Sequence, residues 1–341
     1  MGKAQEPEVR ASLQETLLRL MRFWTDEGCL WLPSCDFEVE AGTLHPDSFF
    51  RLLGPEPWRA VFLQPVRRPL DGRRREHPYR LQKHLQLQVV LKPPPPDLQT
   101  LYLRSLETLG CELAVHDLRF AEWNWQSTAL DAWGSGWHVL VDGLGITRLT
   151  FLQEAAGTTL EPPTAELSYG IERLTMLLAG KPSAGDLEWV EGGPVYGDLR
   201  RTDEAELSRY VFAVADVGAL RRQLEELLGE SDRCLEAGLV RPAYELAVKS
   251  LQGVDILEAR GDLTTFERQR WLAEVKSRVQ AAAALYLEAR EPRSEAGGED
   301  RVPEQDPGKE PVAEPPKADK GKTKKAAKAR RRRQQEPADG G

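Results

Sequence analysis

The spacing of apolar side chains changes along the chain and predicts different elements in different segments. Over residues 13–24, leucines recur every three or four positions and stop before Gly28, which predicts an amphipathic helix closed by a glycine. From about residue 29 to residue 151, short apolar runs alternate with Gly and Pro clusters, as in an antiparallel sheet. The apolar runs are 60–63, 85–91, 137–141 and 146–152.

Helical spacing appears in two further parts of the chain. One helix is predicted over 97–109, from Asp97 after four prolines to a stop at Gly110. Beyond Tyr169 the pattern is helical again, first over 171–178 and then through long Leu/Ala/Glu/Arg segments that repeat every 3.6 residues. We therefore predict an α+β fold, with a sheet domain over residues 1–200 and a helical C-terminal domain over 201–290.

The last part of the chain, residues 291–341, has a different composition. Pro, Glu, Gly, Lys and Arg dominate it and leave almost nothing to bury, which predicts a disordered tail with a basic cluster over 317–333. The cluster is compatible with contact to RNA phosphates, but also with a solvated tail that has no ligand.

Composition narrows the class of protein. A chain of 341 residues with 40% hydrophobic and 29% charged residues can bury a sizeable core. The four cysteines lack CxxC spacing, which argues against a zinc knuckle and a disulfide framework, so we expect reduced thiols in a cytoplasmic protein. No apolar segment approaches the roughly 20 residues that span a bilayer, so we expect no membrane contact.

An arginine-rich segment lies between two predicted strands, at 64–80. It contains Arg67 and Arg68, a run over 73–75, and Arg80. Guanidinium groups so close together repel one another unless an anion binds, and their planar forked donors fit phosphate oxygens. The segment therefore favours a triphosphate site, although a solvated basic loop has the same composition.

A second cationic position occurs at 166–174, where a strand passes through Gly170 into a helix. Glycine allows the backbone to approach a ligand closely, and Arg173, one turn into the helix, can reach back over the sheet. Taken alone, the segment is also compatible with an ordinary turn that carries a surface charge.

Together these segments resemble a known family. Arg67, its loop and the strand after it resemble motif 2 of the class II aminoacyl-tRNA synthetases, and Tyr-Gly-Ile-Glu-Arg-Leu at 169–174 resembles motif 3. The chain as a whole is similar to the α subunit of bacterial glycyl-tRNA synthetase from about residue 10 to residue 290. Further similar segments follow in the family's order at 40–46, 53–57, 67–73, 79–82, 116–120, 132–134 and 266–270.

The resemblance implies a class II antiparallel-sheet catalytic domain that activates glycine with ATP and transfers it to tRNA(Gly). It implies an α homodimer paired with a separate β subunit, as α2β2, and Mg2+ bridging the phosphates. Arg67 would bind the α-phosphate and Arg173 the γ-phosphate. Further implied ATP ligands are Arg68, Arg80 and Gln82. The implied amino-acid pocket consists of Gln86, Gln88, Glu122, Trp133, His138 and Gln153, with Glu154 as a candidate metal ligand.

Several positions depart from the family's pattern. Its Gly-Trp-Glu-Val reads Gly-Trp-His-Val at 136–139, so His138 replaces a carboxylate, while Glu154 replaces a glutamine. Trp123 stands where the family often has an acid, and the strand over 83–88 lacks the family's aromatic residues. Two alternatives follow: a synthetase-like paralogue with an RNA-binding or regulatory role, and a synthetase for another small amino acid such as alanine.

Overall fold

A seven-stranded sheet forms the centre of the protein in the computed structural model, which describes residues 11–74 and 77–290. The strand order is β1-β2-β3-β7-β6-β5-β4, and all described neighbours are antiparallel except the pair β1 and β2. The strands are β1 (Leu30–Trp31), β2 (Trp58–Arg67), β3 (Lys83–Lys92), β4 (Leu118–Ser127), β5 (Ala132–Val141), β6 (Leu144–Ala155) and β7 (Thr158–Gly170).

Helices flank this sheet and then continue as a C-terminal helical region. They are α1 (Leu13–Asp26), α2 (Pro46–Leu52), α3 (Leu98–Glu107), α4 (Ile171–Ala179), α5 (Tyr196–Arg209), α6 (Val217–Glu236), α7 (Val240–Arg260) and α8 (Thr265–Glu288). A short 3-10 helix at Pro69–Arg74 follows β2, and a π-helical turn at Tyr210–Val214 continues α5. The predicted α+β architecture is confirmed, whereas the predicted disordered tail over 291–341 lies outside the described residues.

Local sequence signals explain where the helices begin and end. Ser12 caps α1 by accepting a hydrogen bond from the backbone N–H of Glu15, and the chain leaves the helix through Gly28 at φ +85°, in the left-handed region that favours glycine. The predicted helix over 13–24 is thus confirmed. Helix α8 begins with a capping box in which Thr264 and Glu267 satisfy each other's backbone N–H groups.

The two faces of the sheet have different surroundings because successive side chains of a strand point to opposite sides. One face, which we call the helix face, is apolar and packs on α1, α3 and α4 through residues such as Leu87, Leu167 and Tyr169. The other face carries His84 and Gln86 on β3, and we call it the ligand face. The C-terminal helices cover only part of the ligand face.

Helix α7 docks the C-terminal helical region onto this sheet. Tyr244 is fully buried, its ring stacks on Phe49 at 4.6 Å, and its hydroxyl donates to the Leu44 carbonyl at 3.0 Å. The described residues belong to one compact unit. The domain boundary proposed at residues 200 and 201 falls inside α5.

A buried lysine closes the short helix α2. Lys92 is fully buried, and its ammonium donates to three backbone carbonyls where α2 ends, those of Arg51 (3.2 Å), Leu52 (2.5 Å) and Gly54. Burial lowers the pKa of Lys92. A cation at a helix C-terminus compensates carbonyls that have no partner within the helix.

The structure also bears on two expectations from composition. All four cysteines are free, and three of them are buried. Of the helices in the described ranges, none has both the length and the apolar character needed to cross a bilayer.

Candidate active site

A polar pocket opens on the ligand face where β3, β6 and β7 meet the start of α4. The loop after β2 forms one wall, and the turn into β6 forms another. Its charged and polar lining consists of Arg68, Asp71, Tyr79, Arg80, His84, Gln86, His138, Thr147, Arg148, Ser168, Glu172 and Arg173. Segments far apart in the sequence therefore meet over one sheet.

Arg173 projects from the first turn of α4 into this pocket. Its Nη1 donates to the Gly145 carbonyl at 3.3 Å, and its guanidinium lies 5.1 Å from the centre of the Tyr79 ring. Burial, together with the nearby Arg68 and Arg80, lowers the pKa of Arg173. The sequence prediction that Arg173 reaches back over the sheet agrees with this position.

Arg148 adds a cation that sequence reasoning missed. It lies on β6, half-buried, with its guanidinium 4.4 Å from the centre of the Trp123 ring. Burial, with Arg68 and Arg173 close by, lowers the pKa of Arg148 to about 10. The alternation of side chains along β6 indicates its position, because it places Arg148 on the same face as Ser168, its partner on β7.

Two histidines line the pocket in neutral form. Burial, reinforced by Arg68 and Arg173, lowers the pKa of His84 to about 3. Burial also lowers the pKa of His138, and Arg148 and Arg173 contribute in the same direction. At neutral pH the positive charge therefore resides on the arginines, because burial first and the arginines second keep both rings unprotonated.

Carboxylates in the pocket do not balance these cations. Asp71 lies 3.8 Å from Arg80 Nη1, near the rim. Glu172 accepts hydrogen bonds from the Leu85 N–H at 2.9 Å and from the Tyr196 hydroxyl at 3.1 Å, and burial raises its pKa to about 7. The pocket thus presents an excess of guanidinium donors, which suits a polyanion such as a triphosphate.

Helix α5 holds the base of the loop after β2. The Glu204 carboxylate accepts the backbone N–H of Gln82 at 2.8 Å and that of Lys83 at 2.9 Å. Ser208 donates to the Gly72 carbonyl at 3.3 Å, and the Arg68 N–H donates to the Gln82 carbonyl at 2.7 Å. Both ends of the loop are thereby fixed relative to the sheet.

The predicted ATP ligands do not all reach the pocket. Arg68, Arg80 and Arg173 line it, whereas Arg67 and Gln82 lie outside its lining. Arg67 pairs with Lys83 across the strands, its Nε lies 3.1 Å from Glu38, and it lines a separate cavity beside α6 and α7. Strand β2 ends at Arg67, and the next residue, Arg68, lines the pocket.

A cluster of buried polar residues adjoins the pocket on the ligand face. Gln86 accepts the Gly42 N–H at 3.3 Å, and Ser168 donates to the Gln88 side chain at 2.8 Å. A methyl group on Gly42 would come within 2.9 Å of Gln88, so the loop over 42–44 approaches the sheet closely. Gln86 and Gln88 thus lie together, as the sequence predicted.

Glu166 supplies the carboxylate of this cluster. It is 6% exposed and accepts a hydrogen bond from Thr43 Oγ1 at 2.7 Å. Burial raises its pKa to about 7 in spite of that bond. Sequence reasoning did not single out Glu166, although alternation back from Gly170 through Ser168 places it on the same face.

The other predicted pocket residues are divided between the two faces. His138 lines the pocket, and its ring fills the space beside Gly145. Glu122 pairs with Trp137, whose ring packs in the helix-face core, so Glu122 faces the opposite side. Trp133, Gln153 and Glu154 also lie on that opposite side, since Trp133 donates to Glu154 at 3.2 Å and Gln153 donates to Ser135 at 3.1 Å.

The donors available here do not fit a divalent cation held by the protein. In the described part of the chain, no three His, Cys, Asp or Glu side chains converge as metal ligands. Glu154, the candidate ligand, lies on the other face of the sheet, and Glu172 already accepts two hydrogen bonds. Mg2+ prefers several oxygen ligands, whereas guanidinium groups dominate this lining.

A family model and an individual protein both match most of this chain. Residues 13–291 match the glycyl-tRNA synthetase alpha subunit family. The glycine–tRNA ligase alpha subunit of Coprothermobacter proteolyticus is 42% identical over 280 residues, which cover 82% of this chain and 96% of that protein.

Two solved structures that align with part of this chain come from Desulfitobacterium hafniense. Its pyrrolysyl-tRNA synthetase aligns over 55% of this chain and 78% of that chain at 13% identity, with a TM-score of 0.37. A second structure of that synthetase, PylSc, aligns over 54% and 77% at 12% identity, also with a TM-score of 0.37. On the sequence matches, which span nearly the whole described region, the chain belongs to the glycyl-tRNA synthetase alpha subunit family.

Proposed function

We propose that this chain is the catalytic α subunit of a glycine–tRNA ligase, which forms glycyl-adenylate from glycine and ATP and passes the glycyl group to tRNA(Gly). The observation that supports this most strongly is the convergence of Arg68, Arg80, Arg148 and Arg173 in one pocket on a chain of this family. Guanidinium groups this close together repel one another until an anion binds, and ATP is the polyanion that aminoacyl-tRNA ligation consumes.

The chemistry requires no nucleophilic side chain. An oxygen of the glycine carboxylate attacks the α-phosphorus, the bond to the bridging oxygen breaks, and pyrophosphate leaves with that electron pair. Negative charge grows on the phosphoryl oxygens, and fixed guanidinium groups stabilise it without transferring a proton. Arg68 and Arg173, held by the Glu40 and Gly145 carbonyls at 3.3 Å each, are positioned before the substrate arrives.

The buried polar cluster beside the pocket suits a small amino acid. An ionised Glu166 would face the substrate ammonium, and Gln86 with Ser168 would line the passage toward the phosphates. The close approach of Gly42 to Gln88 leaves little room for a side chain on the substrate. These contacts support glycine over alanine.

Partners follow from the family. As an α subunit, the chain would act with a β subunit and with tRNA(Gly) as the acceptor, and we expect an α2β2 assembly in the cytoplasm. Mg2+ would accompany ATP into the reaction.

Glycine-dependent exchange of labelled pyrophosphate into ATP, measured with purified β subunit present, tests the proposal. We expect exchange with glycine and much weaker exchange with alanine, while omission of the amino acid gives the background rate. Exchange that is stronger with alanine would assign a different substrate. Binding of ATP without exchange for either amino acid would reject the ligase and favour a paralogue that retains only the fold.

A further inference from the structure

Arg148 is a pocket cation for which the described residues supply no carboxylate and no hydrogen-bond acceptor. Within residues 11–74 and 77–290, its guanidinium has no hydrogen-bond acceptor and no carboxylate, and its described contact is the face of Trp123 at 4.4 Å. The other pocket arginines differ: Arg68 donates to a carbonyl, Arg173 donates to another, and Arg80 lies near Asp71. A half-buried guanidinium without a counterion implies that a ligand supplies the anion.

Trp123 contacts Arg148, and two further ligand-face residues, His138 and Gly136, lie around that contact. His138 pairs directly with Arg148 across β5 and β6, and the Trp123 ring lies 6.1 Å from the His138 ring. Gly136 faces Trp123 across β4 and β5, and it has no side chain to occupy the space beside that ring. The indole therefore orients the planar guanidinium, while its donors remain open to the pocket.

The same wall lacks the groups that would bind a metal ion. His138 lines this wall, and its imidazole is neutral at pH 7 beside two arginines. No cluster of three potential metal ligands occurs in the described residues. A fixed positive charge is therefore present at a wall that has no carboxylate to hold a divalent cation.

We propose that Arg148 binds the triphosphate of ATP directly and supplies charge neutralisation that a protein-held Mg2+ would otherwise provide, so that this chain binds ATP with little dependence on magnesium. The inference rests on the proposed function, since it concerns the same ATP site. It assigns a phosphate ligand formed by Arg148 and oriented by Trp123. Guanidinium and phosphate pair through two parallel hydrogen bonds, which a magnesium ion held only by ATP cannot reproduce.

Isothermal titration of the full chain with ATP, in EDTA and in excess Mg2+, tests this. We expect the wild-type Kd to change by less than about threefold between the two conditions. Arg148→Gln should weaken binding by about 10- to 100-fold in EDTA, as expected for the loss of a charge-assisted pair, and Mg2+ should restore part of the loss. Arg148→Lys keeps the positive charge but loses the planar paired donors of the guanidinium, so its Kd for ATP should lie between those of wild type and Arg148→Gln.

Arg119→Gln is the matched control, because Arg119 lies on β4 outside the pocket, with a side chain 70% exposed and paired with Asp117. Wild-type protein that binds ATP only with Mg2+ would overturn the proposal, as would an Arg148→Gln loss of equal size in both conditions. Circular dichroism melting of each variant identifies misfolding. If Arg148→Gln is misfolded, the Kd of Arg148→Lys for ATP in the two conditions decides the test. Wild-type protein that binds ATP but shows no glycine-dependent exchange would reject the proposed function and leave the role of Arg148 to the titration.

Discussion

Substitution of the adjacent residues Arg67 and Arg68 tests which of the two binds the phosphates of ATP. Arg68 lines the pocket, and its pairing with the Glu40 carbonyl at 3.3 Å still leaves donors for a ligand. Arg67 lies outside and contacts Glu38 at 3.1 Å. Substituting each by alanine removes the same side chain at adjacent positions, so that a difference between the variants reflects geometry alone.

The magnitudes follow from these contacts. A preorganised donor to transition-state charge is worth about 10²- to 10³-fold in rate, so Arg68→Ala should lower kcat/KM for pyrophosphate exchange by that factor. Arg67 and Glu38 are 23% and 49% exposed, and a partly exposed ion pair contributes roughly 0.2–1 kcal/mol to stability. Arg67→Ala should therefore change exchange by less than about tenfold.

The assay is glycine-dependent exchange at saturating ATP and at limiting ATP, with β subunit present, alongside urea unfolding of each variant. Arg68→Ala should unfold near the wild-type urea midpoint and still lose activity. If Arg67→Ala is the more severe variant, or if both lose activity equally without unfolding, the pocket geometry described for the loop after β2 is wrong.

Four further outcomes are expected. The pKa of Glu166 is raised to about 7, so its ionised fraction grows as pH rises through that value, and KM for glycine in exchange should fall over the same range. Glu166→Gln should raise KM and remove this pH dependence. An unchanged pH profile in that variant would contradict the assignment. Lys92→Met should lower the free energy of unfolding by about 2–4 kcal/mol in urea titrations, because three carbonyls lose their donor; a change below about 0.5 kcal/mol would show that they are otherwise satisfied. Gly136→Ala should cost about 1–3 kcal/mol, since the added methyl group would collide with the Leu149 carbonyl oxygen, and a melting temperature equal to wild type would refute that. Deleting residues 301–341 should leave exchange unchanged, because the family match ends at residue 291, and loss of exchange would give the tail a role in adenylate formation.

Elements were predictable from the sequence where one face is uniformly apolar. The runs at 60–63, 85–91, 137–141 and 146–152 all fall within strands β2, β3, β5 and β6. Strands β4 and β7 gave no comparable run, because residues such as Glu122, Trp123 and Glu166 alternate polar with apolar character along them. Their pairing became visible only once the neighbouring strands were placed.

The site was harder to predict than the fold because it depends on which way each side chain points. A shift of one residue moves a side chain to the other face of a sheet. Arg67 and Arg68 differ by one such step, and Glu122 and Trp123 by another. A bulge between Leu152 and Glu154 changes the register of β6 locally, which the residues alone do not reveal.

The family resemblance supplied Arg173 and the loop after β2, but not the residues specific to this chain. Arg148 gained significance only beside Trp123 and His138, two positions where the chain departs from the family's pattern. Glu166 had the same difficulty, because a glutamate on a strand has many uses and only its burial beside Thr43 sets it apart.

The hydrogen bonds between helix α5 and the loop after β2 limit how far the protein can be shortened. A minimal fragment ending at residue 200 would cut α5 after five residues and would remove Glu204 and Ser208, the partners of Gln82, Lys83 and Gly72. Such a fragment could keep all seven strands and all four pocket arginines and still present Arg68 and Arg80 on an untethered segment. An engineered single-domain ligase made from this chain would therefore need new hydrogen-bond partners for that loop before it could hold a nucleotide in place.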